Sequence, residues 1–226
     1  MLLTYPIEYY LKSYILPEMS ASLTELMTAA TSDKGTGLHN YTDFYSILFE
    51  PMREKEFNLL EVGIGSIDFS YPCHMGWWRS VYRPGASLRG WRDYFPNARV
   101  YGCDIDKNVL FTEERIETFY LDQTDRESIK SQICDGDREY YVIIDDGLHV
   151  WAHNFALLQQ AYHKLQPGGY YIIEDIQDFD SGDMQSDFVK QAVSRGDHIS
   201  YVQIANPGNS LDNNVFMLRK KSVVQI

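Results

Sequence analysis

Acidic residues recur in this sequence at one kind of place, the end of a short apolar run. Phe57 to Val62 leads into Glu61-Val62-Gly63-Ile64-Gly65, Arg99 to Cys103 ends at Asp104, and Glu117 to Leu121 ends at Asp122. Tyr140 to Ile144 ends in Asp145-Asp146-Gly147-Leu148-His149, and Gly169 to Ile173 ends in Glu174-Asp175. Runs of this kind predict five buried β-strands. Carboxylates at their ends can do two kinds of chemistry. The acid ending the second strand can accept the hydroxyls of a ribose, and the glycines after the first let backbone approach a ligand closely. The acids ending the fourth and fifth strands converge if those strands are neighbours. Clustered carboxylates repel unless a cation joins them, and oxygen donors suit Mg²⁺ or a similar hard divalent cation. The competing reading has these acids capping the helices that follow, as Asp146 could do before Val150. His149, three residues past Asp146, could take a proton from a substrate hydroxyl; a histidine near a helix start can equally be structural. His153 and His39 are further polar candidates.

The elements that must position these residues follow from the pattern between the runs. Helical spacing marks 87–94, 126–133 and 150–165, so strands and helices alternate, which implies parallel strands with helices on both faces. Before them, 7–30 and 41–49 have helical spacing, separated by the polar, glycine-rich loop Ser32-Asp33-Lys34-Gly35-Thr36-Gly37. After them, 199–204 and 214–218 form two strands joined at Pro207-Gly208, a hairpin at the sheet edge. The expected architecture is one doubly wound α/β domain over 1–226. It has a mostly parallel seven-stranded sheet, a helical N-terminal extension over 1–50 and an antiparallel C-terminal hairpin.

Composition narrows the function. The 226 residues are 44% hydrophobic and 23% charged, as in ordinary folded proteins. A net charge of −12 disfavours nucleic acid and anionic lipid as partners. Cys73, Cys103 and Cys134 are widely spaced, so no zinc site or disulfide framework is expected. The N-terminus has neither the basic start nor the apolar run of a signal peptide, and no stretch reaches the ~20 apolar residues of a membrane span. The chain reads as a cytoplasmic protein.

The form Glu-x-Gly-x-Gly resembles the S-adenosylmethionine site of class I methyltransferases rather than the Gly-x-Gly-x-x-Gly of nicotinamide enzymes. The resemblance sharpens when the motifs are taken in order. They are Ser32-Asp33-Lys34-Gly35 with His39-Asn40-Tyr41-Thr42, Leu59 to Gly63, Gly85 to Trp91, Asp122-Gln123, Asp145 to His149, and Ile173-Glu174-Asp175. This series resembles the macrocin and mycinamicin type of metal-dependent sugar O-methyltransferases over most of 30–219. The resemblance implies Mg²⁺ held by Asp146, Glu174 and Asp175, with His149 as general base and Asp146 beside it in catalysis. It implies cofactor contacts from Glu61, Gly63, Asp104, Asp122 and Gln123; Lys34, Tyr41, Gly65, Ser87 and Asp145 are placed with them. The expected acceptor is a sugar hydroxyl, as in a nucleotide sugar or another precursor of a surface glycan or natural product, and the enzyme could be a homo-oligomer.

Residues 66–84 depart from that pattern as an insertion. Its aromatics, Phe69, Tyr71, Trp77, Trp78 and Tyr82, read as a lid over the acceptor; packing against the protein's own helices or a subunit interface is the competing reading. Other functions remain open at this level. They include methyl transfer to another diol such as a catechol or to an amine, a cofactor-binding protein without catalysis, and, more remotely, an iron-dependent hydroxylase.

Overall fold

The structure is a computed structural model, and it describes residues 21–71, 75, 80–176, 186–206, 208, 209 and 212–222. In chain order the elements are α1 (Leu23–Ala29), α2 (Tyr41–Phe49), β1 (Asn58–Val62), α3 (Ala86–Tyr94), β2 (Arg99–Asp104), β3 (Thr112–Glu113), β4 (Ile116–Tyr120) and α4 (Arg126–Ile129). There follow β5 (Tyr140–Asp145), α5 (Trp151–Ala161), β6 (Leu165–Ile173), α6 (Asp187–Arg195), β7 (His198–Gln203) and β8 (Asn214–Arg219). One eight-stranded sheet runs in the order β3-β4-β2-β1-β5-β6-β8-β7. The five strands β4, β2, β1, β5 and β6 are parallel, and β8 and β7 close the far edge antiparallel.

The strands are apolar on both faces because both faces are covered. Alternate residues go to opposite sides: Leu59, Val142, Ile144 and Ile172 join one core, and Leu60, Ile143, Tyr171 and Ile173 join the other. Leu23 and Met27 of α1, Tyr45 and Phe49 of α2, and Leu88 and Trp91 of α3 fill the first core. Phe155, Leu157 and Leu158 of α5, with Val189 and Ala192 of α6, fill the second. The doubly wound class, the parallel centre and the C-terminal hairpin agree with the sequence reading.

Three differences have physical causes. The sheet has eight strands rather than seven, because Thr112–Glu113 pairs antiparallel with β4; two residues carry no periodicity to detect. The helix expected over 126–133 is α only to Ile129 and continues as a π-type turn over Lys130–Cys134. Helix α6 was not expected from the sequence. Its start is capped by Ser186, whose side chain accepts from the Val189 N–H, and it stops at Gly196, whose φ of 91° suits a C-terminal glycine. Of the helix expected over 7–30, α1 occupies part; residues 7–20 lie outside the described residues, as do Cys73, Trp77 and Trp78.

Candidate active site

All five parallel strands point their C-terminal ends at one cavity, the place where open α/β sheets bind ligands. Gly63, Gly65, Ser87, Asp104, Asp122, Gln123, Asp146, His149 and Asp175 line it, with Glu61 at its base. Four residues placed with these from the sequence do not: Lys34, Tyr41, Asp145 and Glu174 lie behind the wall, each at most 1% exposed.

The first half of the cavity is made by the ends of β1, β2 and β4. Gly63 takes φ 83°, and a Cβ there would overlap the Asp146 carbonyl, so only glycine lets the ends of β1 and β5 pass so closely. Asp104 accepts from the backbone N–H of Ile64 at 2.9 Å and of Asp106 at 2.9 Å. The carboxylate keeps acceptor capacity for a ligand hydroxyl. Asp122 accepts from the Thr124 N–H at 2.8 Å, which tightens the turn after β4. Glu61 is committed to the protein: its oxygens accept from Ser87 Oγ at 2.6 Å and Trp91 Nε1 at 2.5 Å. It supports the glycine turn from below, and Ser87 shares in that role.

The second half is made by the ends of β5 and β6 and by residues 32–45. Asp146, His149 and Asp175 each place a ligand atom within 4.8 Å of the others. His149 Nε2 lies 3.1 Å from Asp146 Oδ1 and 3.5 Å from Asp175 Oδ2. Helix α5 begins after Val150 without a side-chain cap, so Asp146 is not a helix cap here. Lys34 Nζ lies 2.7 Å from Asp146 Oδ2, contacts Glu174 and stands 3.7 Å from Glu61. From α2, one turn apart, the Tyr41 hydroxyl donates to Asp175 and the Tyr45 hydroxyl to Glu174. His39 Nδ1 lies 3.4 Å from Asp175 Oδ1 and 3.1 Å from Asn213 Oδ1. Lys34 is therefore not a cofactor contact in this arrangement; it is an ammonium among acids. Tyr45 was not singled out from the sequence, although its place four residues after Tyr41 puts both on one helix face.

The charges interact strongly. Burial would depress the Lys34 ammonium, but Asp146, Glu174 and Glu61 more than reverse this and hold it protonated. Burial opposes ionisation of Asp146, yet Lys34 and His149 outweigh it and keep its pKa well below the usual range. Burial and then the charge of Asp146 push Asp175 up. Burial works against a proton on His149, but its bond to Asp146 and the charges of both acids raise it to about 9. Two carboxylates, Asp146 and Asp175, face one point and repel each other across it, which suits a hard divalent cation held by oxygen donors, with the His149 imidazole beside them.

Of the insertion, Tyr71, Met75 and Tyr82 line the cavity, and the Tyr82 hydroxyl donates to the Ile64 carbonyl at 2.9 Å. Phe69 is exposed, and Arg83 pairs with Glu113 at 2.7 Å. The other two aromatics of the lid reading, Trp77 and Trp78, lie outside the described residues.

The sheet order, the glycine turn after β1 and the antiparallel β8–β7 edge define the class I methyltransferase fold. Solved structures share it. MycE methyltransferase from the mycinamycin biosynthetic pathway, solved with Mg, SAH and mycinamycin VI, superposes with TM-score 0.67 at 23% identity, covering 99% of this chain and 65% of that one. The O-methyltransferase from Bacillus cereus in complex with SAH superposes with TM-score 0.53 at 14% identity, covering 95% and 97%. No family model matches the chain.

The curated relatives are sugar O-methyltransferases of the macrocin and mycinamicin type. The chain is 34% identical over 146 residues to 8-demethyl-8-alpha-L-rhamnosyl tetracenomycin-C 2'-O-methyltransferase of Streptomyces olivaceus, covering 65% of the chain and 35% of that protein. It is 32% identical over 154 residues to mycinamicin VI 2''-O-methyltransferase of Micromonospora griseorubida, covering 68% and 36%. The chain thus spans about a third of the length of these relatives.

Proposed function

We propose that this protein is an S-adenosylmethionine-dependent O-methyltransferase that acts on a sugar hydroxyl with the help of a divalent cation. One observation carries the reading: Asp146, His149 and Asp175 converge in the same cavity that the glycine turn and Asp104 open for a cofactor. The relatives' names supply the sugar and the hydroxyl as the acceptor class.

The cofactor would supply an electrophilic methyl group, and a cation such as Mg²⁺ would neutralise the acids and lower the pKa of an adjacent hydroxyl. The rest falls to the chain. Gly63 and Gly65 would let backbone approach the cofactor, and Asp104 would accept its ribose hydroxyls. Asp122 would bound the cofactor's far end. Asp146 and Asp175 hold the cation, backed by Glu174, which shares the Lys34 ammonium with Asp146. With a cation taking up the charge of Asp146 and Asp175, which otherwise holds a proton on His149, the ring would be free to take the proton of the acceptor hydroxyl. Holding cofactor and acceptor side by side in this cavity would supply much of the rate. Asp33, His39 and Asp212 wall the side beyond Asp175 and offer hydrogen bonds to a sugar. The negative charge of Asp33 and Asp212 suits an uncharged sugar unit better than the pyrophosphate of a nucleotide sugar.

No helix among the described residues is long and apolar enough to cross a membrane. With the charge of −12, this supports a cytoplasmic enzyme that binds neither nucleic acid nor anionic lipid. An oligomer of this chain and a place in polysaccharide or natural-product biosynthesis are part of the proposal.

The test is direct. Calorimetry should show S-adenosylhomocysteine binding. Mass spectrometry over a panel of glycosides and nucleotide sugars should find one methyl group added. EDTA should abolish that transfer and Mg²⁺ should restore it. Full turnover in exhaustively chelated protein would remove the cation from the reading, and absence of cofactor binding would remove methyl transfer altogether.

A further inference from the structure

Gln123 and Asp145 read from the sequence as cofactor contacts, but the structure spends their polar atoms on each other and on the turn that follows. Asp145 is fully buried at the end of β5. Gln123 Nε2 donates to both of its oxygens, at 2.8 and 2.9 Å. At the other end of the same amide, Gln123 Oε1 accepts from the Leu148 backbone N–H at 2.8 Å. The Gly147 N–H donates to Asp145 Oδ1 at 3.3 Å, and the Tyr171 hydroxyl to Asp145 Oδ2 at 3.4 Å. The amide lies so close on Gly147 that a Cβ there would overlap Gln123 Oε1. What remains of the Gln123 side chain to face the cavity is its hydrocarbon.

The braced turn carries Asp146 and His149. It needs bracing, because regular structure does not hold it: β5 ends at Asp145 and α5 begins at Trp151. His149 itself has φ 57°, a left-handed conformation uncommon for a residue with a side chain. The Asp146 N–H donates to the Val62 carbonyl at 2.9 Å, which fixes the turn's start; Leu148, just before His149, is held by Gln123.

We infer that Gln123 and Asp145 are positioning residues: together they lock the Gly147–His149 turn and so set where Asp146 and His149 stand relative to each other and to Asp175. This rests on the proposed function for what Asp146 and His149 do, but the lock itself is a property of the chain.

Three measurements on Gln123→Met, which keeps length and removes both hydrogen bonds, test it. Hydrogen exchange at the Leu148 amide should accelerate by about tenfold or more, since its acceptor is gone. Mn²⁺ affinity, read by electron paramagnetic resonance, should fall by about 10–100-fold, the usual cost of losing a group that orients a ligand. Binding of S-adenosylhomocysteine should stay within about threefold, as expected when the lost group does not touch the cofactor. A tenfold or larger loss of S-adenosylhomocysteine affinity, with Mn²⁺ binding and Leu148 exchange unchanged, would overturn the inference and make Gln123 a cofactor contact. No change in any of the three would overturn it as well. Should Gln123→Met fail to fold, Asp145→Asn loosens the lock from its other end with little change of shape. It should accelerate Leu148 exchange by a smaller factor, and unchanged exchange there would count against the lock. Wild-type protein that binds no S-adenosylhomocysteine would overturn the methyltransferase reading and leave the exchange result to judge the lock by itself.

Discussion

The two halves of the cavity are built by different means. Around β2 and β4 the acids lean on backbone N–H groups: Asp104 on those of Ile64 and Asp106, Asp122 on that of Thr124. Around β5 and β6 they lean on side chains more than a hundred positions away: Asp146 and Glu174 on Lys34, Asp175 on Tyr41, Glu174 on Tyr45. Strand ends and glycine turns suffice to make a generic cofactor half. The acid half exists only because the loop after α1 and the first turns of α2 close over it. Binding and chemistry should therefore separate on mutation, with the cofactor half setting affinity and the acid half setting rate.

The largest effect that separation predicts is at His149. His149→Ala should lower kcat by about 10²–10⁴-fold, while affinity for S-adenosylhomocysteine stays near that of the wild type, because the ring meets the acids and the acceptor rather than the cofactor. Steady-state kinetics beside calorimetry reads both. Near wild-type kcat across the pH range would return His149 to a structural role and erase the division of labour.

Much of the cofactor half was legible in the sequence, for a local reason. An apolar run followed by an acid or a glycine turn announces a strand end, and parallel strands bring all such ends to one side. The acids of the second half were legible in the same way, down to the convergence of Asp146 with Asp175. Their partners were not. Lys34 and Tyr41 read as cofactor contacts because they lie in motifs beside the site, yet nothing in local spacing says that Lys34 turns inward to Asp146 and Glu174. Glu61 shows the same limit: its partners Ser87 and Trp91 lie 26 and 30 residues downstream, a distance set by packing of α3 on the sheet. Helix α6 was legible and passed over: Phe188, Val189, Ala192 and Val193 recur at helical spacing behind the Ser186 cap.

A second prediction tries to break the acid half at its centre. Lys34→Met leaves Asp146, Glu174 and Glu61 buried without their ammonium. Removing one partner of a buried charge cluster costs roughly 3–5 kcal/mol, so a clear fall in Tm is expected. Added Mg²⁺ should recover part of that fall by supplying positive charge to the same acids, and should do less for the wild type. A variant with unchanged Tm, or one indifferent to Mg²⁺, would show that the acids do not depend on the N-terminal loop.

The smallest expected effect is a control on the far side of the sheet. Ser186 caps α6 by accepting from the Val189 N–H at 3.3 Å, and α6 packs Val189 and Ala192 into the second core, away from the cavity. Ser186→Ala removes the cap and leaves the N–H to water, at a cost of about 1 kcal/mol. Thermal unfolding should register that loss as a fall in Tm of a few degrees, roughly 2–4 °C for a chain of this size. Affinity for S-adenosylhomocysteine and for Mn²⁺ should not move, because no element of either half rests on the first turn of α6. This measurement calibrates the larger ones. If Ser186→Ala lowered Mn²⁺ affinity as much as Gln123→Met, loss of stability alone would explain both. The acid half would then be no more specifically supported than the rest of the fold.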